Sequence, residues 1–202
     1  MKIFFILVFF IINFQSFGLS DDFNFKKIVN LNNPWGSSFI NNEEIIITEK
    51  SGKIKLVNVV SKKIIEIKHN LNFLEYGQGG LLDIIYKENK LWISYTEDRG
   101  NWKTSTSIAI AKFHKKELIF ENIFQANPPI DSGYHFGSRL AIKDDYLFAS
   151  AGERGQGMIA QDPKKHPGSI IRIYTNGRIP EDNPKFEGKS DWLPEIYQIG
   201  IR

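Results

Sequence analysis

Short apolar runs rich in β-branched residues recur along this chain at long, nearly regular intervals. Three of them begin near Ile45, Leu91 and Tyr146, 46 and 55 residues apart. No segment keeps apolar residues at the spacings of three and four that an amphipathic helix needs, so we expect few helices. A repeat of roughly 40–50 residues made of four short strands is typical of a β-propeller blade, whereas a β-sandwich would leave the long period unexplained. The pattern predicts an all-β fold, a β-propeller.

The predicted strands account for most of the chain after residue 18. At roughly 45 residues per blade, they supply about three to four blades. The last eight residues again resemble a strand, so we expect the chain to be the N-terminal part of a longer propeller, inactive by itself. Near the end, Asn176-Gly177 predicts a type I′ hairpin between residues 168–174 and a strand at Arg178-Ile179.

The first 18 residues differ in kind from the rest. Lys2 precedes an unbroken apolar run from Ile3 to Ile12, and polar and small residues follow it. This order predicts a secretory signal peptide over residues 1–18 and a propeller domain, truncated at its C-terminus, over residues 19–202. The apolar run is shorter than the roughly 20 residues that span a bilayer, although an uncleaved anchor is an alternative. The sequence has no cysteine, so neither a disulfide nor a lipid-modified N-terminal cysteine can form. Together with the predicted signal peptide, this leads us to expect an exported periplasmic or secreted protein, free of the membrane after cleavage.

Charge and motif content exclude several classes of function. The formal net charge is only +3 and the lysines are dispersed, so no nucleic-acid-binding stripe is predicted. The sequence has no Gly-x-Ser-x-Gly elbow, phosphate-binding loop or calcium-binding loop of alternating Asp. His69, His114 and His166 lack companion ligands at metal spacing, so we treat them as surface residues and predict no metal ligand in this chain.

Four glycine-flanked polar residues are the candidate site. Gln78, His135 and Glu153 lie at strand ends or in loops, and Arg202 ends the sequence. Propeller loops gather at one end of the central channel, so residues far apart in sequence can meet there. His135 offers an imidazole, the side chain most often used as a general base, and Glu153 could fix its tautomer. Gln78 can donate to and accept from a hydroxyl, while Arg202 suits a carboxylate or an oxyanion.

Each candidate also has a structural interpretation. A lone histidine is more often structural than catalytic, and Gln78 could simply satisfy loop backbone groups. Glu153 beside Arg154 could form an exposed ion pair of little energetic weight. Residue types alone leave both interpretations open.

Six short motifs follow one another from about residue 30 to the end. They are Asn33-Pro34-Trp35, Gly77-Gln78-Gly79-Gly80-Leu81-Leu82-Asp83, His135-Phe136-Gly137-Ser138-Arg139-Leu140, Gly152-Glu153, Ile179-Pro180-Glu181-Asp182-Asn183-Pro184 and Gly200-Ile201-Arg202. In this order they resemble the glucose/sorbosone dehydrogenase family, most closely its aldose sugar dehydrogenase branch.

The resemblance implies a six-bladed propeller that binds pyrroloquinoline quinone (PQQ) and calcium, with the calcium ligands beyond Arg202. It implies oxidation of the C1 hydroxyl of an aldose to a lactone, with electrons passed on to an external acceptor. His135 matches the family's general base and Glu153 its supporting carboxylate. Gln78 matches a residue near the sugar, and Arg202 the arginine beside the quinone. Tyr134 departs from the soluble glucose dehydrogenases, which carry a carboxylate before the histidine, and this difference bears on substrate preference.

Two other functions remain open from the sequence. A non-catalytic propeller of the same family could bind sugars or a protein partner on the same face. A hydrolase propeller of the lactonase type would need a metal-binding set of acidic and amide residues, which an isolated Glu153 does not supply.

Overall fold

A computed structural model describes residues 24–185, 188 and 191–202, so the predicted signal peptide lies outside the described residues. Strands account for nearly all the regular secondary structure, and the described helix is one short 3-10 turn over Gly157–Gln161. The strands are β1 (Pro34–Phe39), β2 (Glu44–Glu49), β3 (Lys53–Asn58), β4 (Ile64–His69), β5 (Leu81–Lys87), β6 (Lys90–Asp98), β7 (Thr104–Lys112), β8 (Glu117–Leu118), β9 (Glu121–Gln125), β10 (Gly137–Lys143), β11 (Tyr146–Ala151), β12 (Ser169–Tyr174) and β13 (Ile196–Ile199). No helix within the described ranges is long and apolar enough to cross a membrane.

The described strands form three sheets, each built around four antiparallel strands. Their orders are β1-β2-β3-β4, β5-β6-β7-β9 and β10-β11-β12-β13, and β8 adds a short parallel pairing to the outer edge of β4. The first strands of the three sheets begin at Pro34, Leu81 and Gly137. This spacing reproduces the period in the sequence, as expected for successive propeller blades.

Two apolar layers fill the spaces between successive sheets. Strand β6 serves both layers, because successive side chains of a strand point to opposite faces. Leu91 and Ile93 belong to the cluster shared with the first sheet, and Trp92 belongs to the cluster shared with the third. The two sheet interfaces are therefore held by alternate residues of the same strands.

The innermost strands share an irregularity at their starts. Strand β5 contacts both β1 and β10. Register shifts occur between Pro34 and Ser37, between Leu81 and Ile84, and between Gly137 and Leu140. Bulges of this kind redirect side chains and are over-represented next to active sites. The loops that carry Gln78 and His135 enter β5 and β10 at this same end.

The predicted hairpin at Asn176-Gly177 forms only in part. A turn is present, with Gly177 at φ +86° and the Tyr174 N–H donating to the Arg178 carbonyl at 2.8 Å. Asn176 does not adopt the positive φ that a type I′ turn requires, and Arg178 and Ile179 are not in a strand. Pro180 has no N–H to continue a ladder, and β13 pairs with that edge of β12 instead.

Candidate functional site

The structure brings the four predicted site residues together at one end of the sheets. Gln78 precedes β5, His135 precedes β10, Glu153 follows β11 and Arg202 follows β13. His135 contacts each of the other three. Its backbone N–H donates to Gln78 Oε1 at 2.9 Å, its Nδ1 lies 2.6 Å from Glu153 Oε1, and its Nε2 lies 3.4 Å from Arg202 Nη2.

The contacts of the imidazole define its tautomer. A guanidinium only donates hydrogen bonds, so His135 Nε2 accepts from Arg202 and Nδ1 carries the proton that is donated to Glu153. Glu153 is buried, with 8% of its surface exposed, and its other oxygen accepts from the Gly155 N–H at 2.6 Å. The Nε2 lone pair of a neutral imidazole therefore faces the exposed side of the site.

The backbone of His135 is held in an uncommon conformation. Its φ is +48°, in the left-handed region that few non-glycine residues adopt. Such a conformation costs of order 1–3 kcal/mol and persists where surrounding contacts require it. Its carbonyl accepts from the Arg154 N–H at 3.3 Å, and a methyl group on Gly152 would overlap that carbonyl. Gly152 therefore permits the close approach that aims the imidazole.

Gln78 holds the same loop from the other side. Its N–H donates to the Gly133 carbonyl at 2.7 Å, and Gly77 lies so close to Gly133 that a side chain there would overlap its backbone. The Gln78 side chain is exposed and its oxygen is occupied by His135, which leaves the amide N–H groups to donate to a ligand. Gln78 is thus both a support of the histidine and a hydrogen-bond donor beside it.

Arg154 was not recognised as important from the sequence, and the structure does not support the alternative of an exposed ion pair with Glu153. Arg154 is only 2% exposed, and its guanidinium lies 3.6 Å from the centre of the Phe136 ring. It donates to Thr104 O at 3.1 Å, to Thr104 Oγ1 at 2.7 Å, to Tyr134 O at 3.1 Å and to Ser132 O. Burial lowers the pKa of Arg154 to about 10, so it is still charged near neutrality. The sequence signalled Arg154 only through its position, next to Glu153 and between two glycines.

The other histidines differ from one another. His114 is exposed as expected, and His69 is half-buried. His166 is 4% exposed, which contradicts the surface assignment, because its ring packs edge-on against Phe124 and accepts from the Asn127 N–H. Within the described residues, no group of three or more His, Cys, Asp or Glu side chains could hold a metal ion.

Comparison with known proteins identifies the fold and the family. The model of the family described as Glucose / Sorbosone dehydrogenase matches residues 31–202. The chain belongs to this family. It is 31% identical over 182 residues to Aldose sugar dehydrogenase YliI of Escherichia coli (strain K12), covering 85% of this chain and 49% of that protein. It is 26% identical over 225 residues to Quinoprotein glucose dehydrogenase B of Acinetobacter calcoaceticus, covering 91% and 45% respectively.

Solved structures of this dehydrogenase family show the same fold. The apo-form of the soluble aldose sugar dehydrogenase from Escherichia coli matches with a TM-score of 0.79 and 30% identity, over 85% of this chain and 52% of that one. The PQQ-bound aldose sugar dehydrogenase from Streptomyces coelicolor matches in fold with a TM-score of 0.73 and 23% identity, over 86% and 52%. The predicted propeller is confirmed. The chain spans about half the length of the curated relatives it matches.

Proposed function

We propose that this chain carries the catalytic base of a quinone-dependent sugar dehydrogenase, which oxidises the C1 hydroxyl of an aldose to a lactone. The observation that supports this most directly is the orientation of His135. Its Nδ1 is bound to a buried carboxylate at 2.6 Å, and its Nε2 lone pair faces the exposed side of the site. That arrangement suits a general base that must accept a hydroxyl proton.

The neighbours of His135 match the needs of such a base. When Nε2 accepts the C1 hydroxyl proton, the imidazole becomes a cation, and Glu153 on Nδ1 stabilises its positive charge. The free amide N–H groups of Gln78 can donate to a sugar oxygen. The contacts of Gln78, Gly152 and Arg154 keep the ring in one position, so proton transfer needs little reorganisation.

The residues present also fit an anionic quinone. Arg202 is exposed and forms no ion pair with a carboxylate side chain in the described part of the chain, so its guanidinium is available for an acidic group or a quinone oxygen beside His135. We therefore propose that Arg202 contributes to holding PQQ, which when bound would supply the electrophilic carbon that accepts hydride from C1. The proposed calcium ion would need ligands from outside the described residues.

The proposal extends to the cellular location. Residues 1–18 support export to the periplasm or the medium, where the reduced site would pass electrons to an external acceptor. The N-terminal sequence of the mature protein tests this directly, and a mature chain that retains residues 1–18 would contradict it.

Sugar oxidation is tested on the full reading frame, reconstituted with PQQ and calcium. Aldoses should drive reduction of an artificial electron acceptor, and mass spectrometry should identify the lactone or its hydrolysis product. Tight quinone binding without turnover of any sugar would contradict the enzyme proposal and favour a sugar- or partner-binding propeller.

A further inference from the structure

A long hairpin stands beside the His135 loop and presents an exposed tryptophan. Strands β6 and β7 have nine residues each, and the turn between them carries Trp102. Trp102 is 64% exposed and has φ +62°, a left-handed conformation that is an outlier for a bulky residue. Strained residues of this kind cluster at ligand-binding sites. The backbone conformation of Trp102 therefore marks its exposed ring as a candidate ligand contact.

Hydrogen bonds join this hairpin to the His135 loop. Thr104, two residues after Trp102, exchanges backbone hydrogen bonds with Ile130, both at 3.0 Å. The Arg154 guanidinium donates both to Thr104 and to the Tyr134 carbonyl. The tip of the hairpin is thus fixed relative to His135 through a buried cation.

Three aromatic side chains lie along this edge, and we call them the aromatic shelf: Tyr76, Trp102 and Tyr134. The rings of Tyr76 and Trp102 are 5.9 Å apart, and the Tyr134 ring is 6.2 Å from that of His135. Tyr134 is 63% exposed. Beside the shelf, Asp131 accepts from the Tyr76 hydroxyl at 3.3 Å and is itself exposed.

We propose that the aromatic shelf is a subsite for the second ring of a disaccharide or longer aldose whose reducing end lies at His135. This inference rests on the proposed function. The C–H faces of a pyranose are apolar while its rim is hydroxylated, so it can stack on exposed aromatic rings while its hydroxyls reach a neighbouring carboxylate. The shelf offers the apolar faces, and Asp131 offers the acceptor. A disaccharide matches both features.

Trp102 is the residue to change, because it lies in the shelf without touching His135. In the reconstituted full-length protein, Trp102→Ala should raise KM for maltose about 3- to 10-fold and leave KM and kcat for glucose unchanged. Trp102→Phe should restore most of the maltose affinity. Trp102→Gly removes the ring while favouring the left-handed backbone, so it should behave like Trp102→Ala. Val60→Ala, an exposed apolar site in the β3–β4 turn, is the control and should change neither sugar.

The outcomes separate the subsite from the proposed function. An equal effect on both sugars, or no effect on either, would overturn the subsite. If the wild type turns over no sugar, the proposed function fails, and calorimetric titration with maltose then decides the subsite. Binding of maltose that is lost in Trp102→Ala would support the shelf, and absence of binding to the wild type would overturn it.

Discussion

Two histidine–carboxylate pairs in this molecule use opposite ring nitrogens. His135 donates from Nδ1 to Glu153, and its Nε2 faces the exposed side of the site. His166 accepts from the Asn127 N–H at Nδ1, so its Nε2 carries the proton directed to Glu195 Oε2 at 3.5 Å. Both ring nitrogens of His166 are occupied by groups that a folded chain keeps in place.

The difference shows which part of a histidine–carboxylate pair makes a base. Both histidines have a carboxylate partner, so the carboxylate alone does not distinguish them. His166 is only 4% exposed, whereas Nε2 of His135 contacts the exposed Arg202 guanidinium at 3.4 Å, on the side of the ring that a substrate hydroxyl could reach. His166 instead links the segment after β9 to the segment before β13, which is a packing role.

The strongest test of the comparison replaces each histidine with glutamine. His135→Gln should lower kcat/KM about 10²- to 10⁴-fold, because the general base is lost while Gln can still contact Glu153. Steady-state assays with an aldose and an artificial acceptor measure this. The thermal midpoint should change little, since the ring is partly exposed.

His166→Gln should give the reverse pattern. The buried ring loses its edge-on packing against Phe124 and the nitrogen that accepts from the Asn127 N–H, so we expect the free energy of unfolding to fall by about 0.5–3 kcal/mol while activity per folded molecule is preserved. His114→Gln, at an exposed site, is the control for both measurements. A loss of turnover in His166→Gln equal to that in His135→Gln would remove the distinction between the two pairs.

Arg154→Met removes the hydrogen bonds that hold the His135 loop in place but leaves His135 itself unchanged. The carbonyls of Thr104, Ser132 and Tyr134 lose a charged donor, so we expect the free energy of unfolding to fall by about 2–4 kcal/mol. Denaturant unfolding measures this change. A fall in kcat beyond the unfolded fraction would show that the loop also positions the base.

Much of the fold and the positions of the site residues followed from sequence. The period of the strand runs predicted the sheets because each blade is a local unit, whose strands pair with their sequence neighbours. Gln78, His135 and Glu153 were chosen as candidates because glycines beside polar residues at strand ends allow close backbone approach. The structure shows that approach at Gly77 and Gly152.

The burial of Arg154 and His166 could not be predicted in the same way. Thr104, which accepts from Arg154, lies 50 residues away, and Asn127 lies 39 residues from His166. Whether a charged residue is buried depends on such distant partners, and no local pattern encodes them. The predicted strand pairing after Asn176-Gly177 was wrong for a related reason. Strand β13, from a later part of the chain, pairs with the edge of β12 that Arg178-Ile179 would have used.

Gly152→Ala changes the backbone contact beneath His135 and leaves the side chains of the site unchanged. The added methyl group would overlap the His135 carbonyl, so the loop must shift and we expect kcat to fall about 10-fold with a smaller loss of stability. Gly157→Ala is the control for backbone strain without overlap, because Gly157 has φ +51°, which disfavours alanine, while no atom lies within 4 Å of the added methyl group. Equal kinetics in the two variants would show that the close approach does not position the base.

The smallest expected effect concerns Glu195, the carboxylate that is paired with His166. The hydrogen bond from His166 holds the pKa of Glu195 below its ordinary value of 4.5, against the opposing effect of burial. The unfolded chain therefore binds more protons just below pH 4.5, so the stability that Glu195 contributes is complete above that pH and is lost as the pH falls through the folded pKa. Glu195→Gln should lower stability at pH 7 by less than about 1 kcal/mol, because the carboxylate is only half-buried. The difference between the variant and the wild type in denaturant unfolding should shrink below pH 4.5, and a difference that grew there would contradict the His166–Glu195 hydrogen bond.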